Sequence, residues 1–325
     1  MFSPKADLRT YPEWADLPTE LLGIIANHVT SIHDYISFRG VCKSWRSPPR
    51  STTSTGHFLG FLGSYFPQTA GRRYLSCSGW ILNVSGVNVH LTHPVWRIRI
   101  KLPSTHTLSV NGSYGNSISK MVLSNSPTVK ADLEVMVIWG KDNQLGFSRP
   151  GDDSWTIIAS LGNSFSDIIF HNDRLYAFDV KNRRIVECDI HGPNPTQIRQ
   201  VFSLPSFDPD FSVAARRHMW YLVGTYGKFL IVAHHFGTSS CKIFEIDLKG
   251  GSHKEVDYLG NKALFLGHNS SFCFELSTWD EIKHNCIYFS DMNVYCLLDK
   301  SFNSFVYGST AASIPPPVTW VMPSF

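Results

Sequence analysis

Residues 167–188 read DIIFHNDRLYAFDVKNRRIVEC. Three short apolar runs, Asp167–Phe170, Arg174–Phe178 and Arg184–Cys188, are separated by the polar turns His171–Asp173 and Lys181–Arg183. Each run is too short for a helix. Turn residues at both ends mark it as a strand in an antiparallel meander. The same module recurs along the chain. Trp220–Val223, Phe229–Ala233 and Lys242–Ile246 repeat it, with a Gly224–Gly227 turn, and Ala263–Leu266, Ser271–Phe274, Cys286–Phe289 and Val294–Leu298 repeat it again. Equivalent strands lie about 45 to 55 residues apart, which suits roughly four strands per propeller blade. About 270 residues of such sequence give about six blades, with five or seven as the neighbouring counts. A single sandwich of that length is disfavoured, since sandwich units run near ~100 residues. The fold class read from this pattern is mainly β, a β-propeller.

Outward from the module, the pattern changes near residue 50. Pro18 suits the first position of a helix, where its missing N–H costs nothing. Glu20 follows in the first turn, at the positive end of the helix dipole. Leu21, Ile25 and Val29 then recur every fourth residue, with Leu22 and Ala26 beside them. Ser31 caps a second short helix, Gly40 stops it, and Val41, Cys42 and Trp45 mark a third before Pro48-Pro49. Three such helices cannot bury their own apolar faces well, and a unit this small leans on disulfides, metal or a partner. It has no CxxC and no His/Cys ligand pattern, so a partner is expected. The organisation read here is a helical unit at 10–50, a polar linker at 51–56 and the β body at 57–325. Within the body, Ser104–Ser119, rich in Ser, Gly and Asn, is expected to be a loop.

Composition narrows the function. Of 325 residues, 29 are Lys or Arg and 26 are Asp or Glu, a net charge of +3, and only 17% are charged. The basic residues come as scattered pairs, Arg72-Arg73, Arg183-Arg184 and Arg216-Arg217, with no basic face of the kind nucleic-acid binders present. No nucleic-acid partner is expected. Residues 1–18 contain no apolar run, so no secretory signal is expected. No stretch approaches the ~18 apolar residues of a membrane helix. The seven cysteines are irregularly spaced and read as reduced thiols, which places the chain in cytoplasm and/or nucleus. Aromatic residues are 13% of the chain, and Trp96, Trp139, Trp155, Trp220, Trp279 and Trp320 fall at blade-like intervals, where packing between blades is their expected role.

The chain has no G-x-S-x-G, no P-loop and no H-E-x-x-H. Gly224–Lys228 has the wrong spacing for a phosphate loop and sits in a hairpin turn. His218, His234 and His235 lie in strand-like runs where successive side chains face opposite ways, so they are expected to be structural histidines. Asp152-Asp153 follows Pro150-Gly151, where Asp caps a turn. The chain is therefore expected to be non-catalytic, with no cofactor and no metal. A propeller-fold enzyme, a hydrolase or lyase, is the alternative. Recognition by a propeller is expected in its loops, with the turns at Lys141–Asn143, Lys181–Arg183 and Asn261–Lys262 as candidates.

The segment 15–47, ADLPTELLGIIANHVTSIHDYISFRGVCKSWRS, resembles an F-box. The match is carried by Leu17-Pro18-x-Glu20-Leu21-Leu22, Ile25, Asp34 and Arg39-x-Val41-Cys42-Lys43-x-Trp45-Arg46. The body resembles that of plant F-box proteins carrying a C-terminal domain once catalogued as being of unknown function. Gly79–Leu82, Phe147–Trp155, Asp167–Phe178, Tyr258–His268, Asn285–Asp291 and Pro315–Ser324 carry that likeness. Where the family has a Gly turn, Leu91–Trp96 lacks it. The resemblance implies a three-helix F-box docked on a Skp-type adaptor and through it on a cullin, with a β-propeller that recruits a protein substrate for ubiquitination. It implies Leu17, Pro18, Leu21, Leu22, Ile25, Val41, Cys42 and Trp45 as adaptor-binding residues, each large one contributing roughly 1.5–3 kcal/mol if fully buried. A diverged F-box protein without ligase function is the remaining alternative.

Overall fold

A computed structural model describes residues 17–18, 20–22, 25 and 45 near the N-terminus. In the body it describes residues 72–77, 80–93, 98–110, 113–114, 117–124, 133–158, 162–191, 196–204, 218–225, 227–235, 240–267, 270–276, 282–291 and 293–304. The chain divides into two units, Met1–Phe58 and Leu59–Phe325.

The body is built from successive antiparallel sheets. Sheet one holds β1 (Arg72–Cys77), β2 (Trp80–Ser85), β3 (Asn88–His93) and β4 (Ile98–Leu102) in chain order. A small hairpin of β5 (Ser109–Val110) and β6 (Ser113–Tyr114) follows. Sheet two holds β7 (Ile118–Leu123), β8 (Val135–Trp139), β9 (Gln144–Ser148) and β10 (Thr156–Ile157). Sheet three holds β11 (Phe165–His171), β12 (Arg174–Asp179), β13 (Arg184–Cys188) and β14 (Ile198–Ser203). Sheet four holds β15 (His218–Thr225), β16 (Lys228–His235), β17 (Ser240–Asp247) and β18 (Ser252–Glu255). Sheet five holds β19 (Lys262–Leu266), β20 (Phe272–Glu275), β21 (Cys286–Phe289), β22 (Asn293–Cys296) and β23 (Phe302–Ser304).

Strands β1, β7, β11, β15 and β20 neighbour one another in that order and form the inner edges of the sheets. This is a propeller, with five blade-like sheets among the described residues. The start of the body at 57–62 and the tail at 315–324 lie outside those residues. Sheet five departs from the other four. Its order is β20-β19-β21-β22-β23, and β19 pairs parallel with β21. The inner strand of this blade, β20, is therefore the second in chain order, and the chain passes β19 to reach β21.

Period-two alternation sorts side chains into layers between sheets. On β8, Val135, Val137 and Trp139 join the core shared with sheet one, while Met136 and Ile138 join the core shared with sheet three. On β12, Leu175 and Ala177 face one layer, and Tyr176 and Phe178 the next. On β16, Phe229, Ile231 and Ala233 alternate with Leu230 and Val232 in the same way. Because both faces of a blade are covered, these strands read as nearly unbroken apolar runs. Trp80, Trp139, Trp155 and Trp220 are all buried in these layers, in the packing role expected for the tryptophans. Trp96, Trp279 and Trp320 lie outside the described residues.

The segment 104–119 is not the open loop its composition suggested. It contains a short turn of 3-10 helix at Thr105–Thr107, the β5–β6 hairpin and the start of β7. Two of its described polar residues bond locally. The Ser104 hydroxyl donates to the Val87 carbonyl (3.1 Å), and the Thr107 hydroxyl donates to the Ser104 carbonyl (2.8 Å). The Trp155 indole N–H donates to the Pro103 carbonyl at 3.0 Å and ties this segment to sheet two.

Candidate functional site

Two regions carry the site candidates. The first is the start of the N-terminal unit. The Pro18 carbonyl accepts from the N–H groups of Leu21 (3.0 Å) and Leu22 (3.1 Å). Pro18 thus stands at the cap of this helix, slightly earlier than the first helical position expected for it. Residues 20–22 and 25 are helical, as is Trp45. Leu22 is 1% exposed, whereas Leu21 and Ile25, one turn apart, are 45% and 36% exposed. Leu17 and Trp45 are half-buried and Pro18 is exposed. Val41 and Cys42 lie outside the described residues, as do the linker at 51–56 and residues 26–44. Leu22 turns inward, and Leu21 and Ile25 form an open apolar pair.

The second is the channel along the inner strands. A cavity of about 550 Å³ lies among β7, β11, β15 and β20, with Lys120, His171, Asn172, Thr225, Lys262 and Glu275 in its wall. A smaller cavity of about 230 Å³ is bounded by Ser119, Lys120, Asp167, Met219, Tyr221 and Gly267. Lys120 reaches both. Between them Lys120 is ion-paired with Asp167, and both side chains are buried. The second carboxylate oxygen of Asp167 accepts from the Leu222 N–H at 2.7 Å, and the first also accepts from the N–H of Ile168 at 2.7 Å. One carboxylate thereby ties β7, β11 and β15 together. Burial pushes the Asp167 carboxyl above its ordinary range, against the pull of Lys120 and the two backbone N–H groups.

A local irregularity aims the pair. Register shifts fall between Ile118 and Lys120 on β7 and between Phe165 and Asp167 on β11. A bulge re-aims the residue that follows it, and here it does so for both partners. At the wider mouth, His171 lies against β15 so closely that a Cβ on Gly224 would stand 2.8 Å from its Nδ1. Its ring also meets Phe229 edge-on at 5.5 Å.

Two of the three candidate turns reach this channel. Lys262 lines the larger cavity and Asn143 the smaller. The Lys181–Arg183 turn is instead held by a structural network, in which buried Asp179 accepts from the Asn182 amide (2.7 Å) and from Arg184 Nε (3.0 Å). The other polar groups singled out in the sequence have structural partners. His218 and His235 face each other across β15 and β16 at 4.6 Å. His234, on the opposite face, packs on Phe289 at 4.5 Å, and burial lowers its pKa to about 4. The Asp152 carboxylate accepts from the Arg149 N–H at 2.7 Å and caps its turn. Gly224–Lys228 closes the β15–β16 hairpin.

The sequence reading missed the Lys120–Asp167 pair, although a signal was present. A lone charge inside an otherwise apolar strand needs a buried partner, and these two have opposite sign. It also missed the clamp around Glu134. That buried carboxylate accepts from Arg149 Nη2 (2.6 Å) and lies 3.1 Å from His191 Nε2, while Arg149 also donates to the Ile190 carbonyl (3.1 Å). The clamp joins sheets two and three.

Comparison with known proteins assigns a family to each of the two units. Residues 54–308 match the family model for the KIB1-4 beta-propeller, and residues 14–47 match the F-box domain. The F-box protein At2g26160 of Arabidopsis thaliana is 25% identical, with 86% of this chain and 96% of that protein covered. The putative F-box protein At3g25750 of the same plant is 26% identical over 87% of this chain and 88% of its own length. The F-box protein SKIP23, also from Arabidopsis thaliana, is 25% identical over 54% of this chain and 55% of its own length. With its F-box at the N-terminus and a propeller match over most of its length, this chain belongs to the KIB1-4 beta-propeller family of plant F-box proteins.

Proposed function

We propose that this chain is the substrate-recognition subunit of a Skp-cullin-F-box ubiquitin ligase. The observation that carries the proposal is the pairing, on one chain, of an F-box whose Leu21 and Ile25 stand open at the surface with a propeller whose own apolar layers are closed. Leu21 and Ile25 are one helical turn apart, the spacing of a helix that lays anchors into a groove. The Skp-type adaptor supplies that groove and the cullin follows through it. Leu17, Pro18, Val41, Cys42 and Trp45 complete the contact, and Leu22 holds the helix from within.

The propeller is the receptor. Its wider channel mouth, with His171, Asn172, Thr225, Lys262 and Glu275, offers donors, acceptors and both signs of charge on a rigid rim. Such a rim suits a polar segment of a protein substrate. This chain then accelerates ubiquitin transfer by holding substrate near the ligase's other subunits, a proximity effect, and it needs no catalytic group of its own. Cytoplasm and/or nucleus is the proposed location, on the irregular cysteine spacing.

The test is affinity purification of the full chain from plant cells with the proteasome blocked. Adaptor, cullin and a substrate are expected together. Lys262→Ser with Asn172→Ala is expected to lose the substrate while keeping adaptor and cullin. Capture of the body's interactors without any adaptor would contradict the ligase reading.

A further inference from the structure

Cys286 and Cys296 stand directly opposite one another on β21 and β22. The hydrogen bonds around them fix what kind of site this is. The Cys296 N–H points away from β21 and donates to the Ser301 carbonyl at 2.9 Å. The neighbouring bond between the two strands runs from the Leu297 N–H to the Asn285 carbonyl, also at 2.9 Å. The two cysteines therefore occupy a non-hydrogen-bonded position of the ladder. Opposed Cα atoms at such a position lie about 4.5 Å apart with side chains close. A disulfide spans roughly 4.4–6.8 Å between Cα atoms.

The two side chains lie on one face of sheet five and share one apolar layer. Cys286 is 1% exposed, and burial pushes its thiol up to about 12. Cys296 is half-buried. Solvent therefore reaches the pair through Cys296, and Cys286 waits behind it. The other described cysteines are placed elsewhere. Cys273 packs on the layer shared with sheet four, while Cys286 and Cys296 belong to the opposite face of sheet five. Cys188 and Cys241 lie on sheets three and four.

We infer that Cys286 and Cys296 form a reversible dithiol–disulfide site that takes a peroxide as oxidant. The Cys296 sulfur attacks the peroxide, the O–O bond breaks, and Cys296 becomes a sulfenic acid with release of one water. The Cys286 sulfur then attacks that sulfur, the S–O bond breaks, and a second water leaves as the S–S bond forms. The two thiols lose two electrons and two hydrogens, and hydrogen peroxide becomes two waters. A small dithiol restores the pair by exchange. In a reducing compartment the dithiol is the resting form. The bond staples β22 to β21, and β21 pairs in turn with β19 inside sheet five, whose strands run out of chain order.

Both cysteines fall in one tryptic peptide, residues 284–300, and cleavage before Asp291 separates them. The purified full chain is treated with hydrogen peroxide, blocked with N-ethylmaleimide and mapped by mass spectrometry with and without prior reduction. The expected result is that peptide 284–300 loses two hydrogens and takes no maleimide until a dithiol is added. Before reduction its two halves stay joined after cleavage before Asp291, and the dithiol separates them. Oxidation of Met292 adds an oxygen and is read separately. In Cys286→Ser, dimedone is expected to trap a sulfenic acid on Cys296. The wild-type map decides the matter even where that variant folds poorly. Two alkylatable thiols after peroxide, a sulfinic acid on Cys296 beside a free Cys286, or a disulfide from either cysteine to a third would each overturn the inference.

Discussion

The two units treat apolar side chains in opposite ways. In the N-terminal unit Leu21 and Ile25 stay open although Leu22 between them is buried. In the body, alternate residues of β8, β12 and β16 disappear into successive layers, and Tyr258 and Leu298 are the large apolar residues left exposed among the described ones. A propeller blade finds its cover in its neighbours. A short helix of an F-box finds only part of its cover at home. The difference teaches where each unit is vulnerable: the body to changes inside it, the head to changes on its surface.

The largest effect on stability is expected at the channel pair. Asp167→Ala leaves the Lys120 ammonium buried without its anion and the Leu222 N–H without an acceptor. Breaking one side of a buried pair costs about 3–5 kcal/mol, to be measured as a drop in urea midpoint. Lys120→Met combined with Asp167→Leu removes both charges and is expected to cost clearly less. A double variant as damaged as the single one would show the pair to be a net source of stability.

Arg149→Ala comes next. It strips the buried Glu134 carboxylate of its main donor and the Ile190 carbonyl of a partner. The expected loss is about 1–3 kcal/mol, measured in the same way.

A pH effect follows from His234. Its folded pKa of about 4 lies below the ordinary 6.5, so the unfolded chain binds the proton more readily. Its contribution is whole above pH 6.5 and is lost progressively as pH falls toward about 4. His234→Phe is expected to flatten the stability curve across that window. An unchanged slope would remove His234 as its cause. At the small end, Lys228→Ala breaks an exposed pair with Glu245 (2.8 Å) and is expected to shift stability by no more than about 1 kcal/mol.

Much of this architecture was legible in the residues. The β11–β12–β13 meander was readable because its turns at 171–173 and 181–183 carry Asn, Asp and Arg at positive φ between apolar runs. The opening of the head helix was readable from Leu17-Pro18 and the spacing of Leu21 and Ile25. Three things were not. The order of sheet five depends on which edge β20 chooses, and periodicity carries no information about neighbours. The polar run at 104–119 looked like loop because Ser and Thr satisfy backbone groups as readily in a tight turn as in open chain. The Lys120–Asp167 pair joins residues far apart in sequence and depends on two bulges that re-aim single side chains.

The smallest expected change in stability is also the most telling. Leu21→Asp with Ile25→Asp alters only exposed positions and is expected to leave the melting midpoint of the full chain unchanged. The same double variant, co-expressed with a Skp-type adaptor and purified on the chain's tag, measures the central claim. The account predicts that the adaptor is lost while the chain stays folded, and an adaptor that still co-purifies in wild-type amount would contradict it.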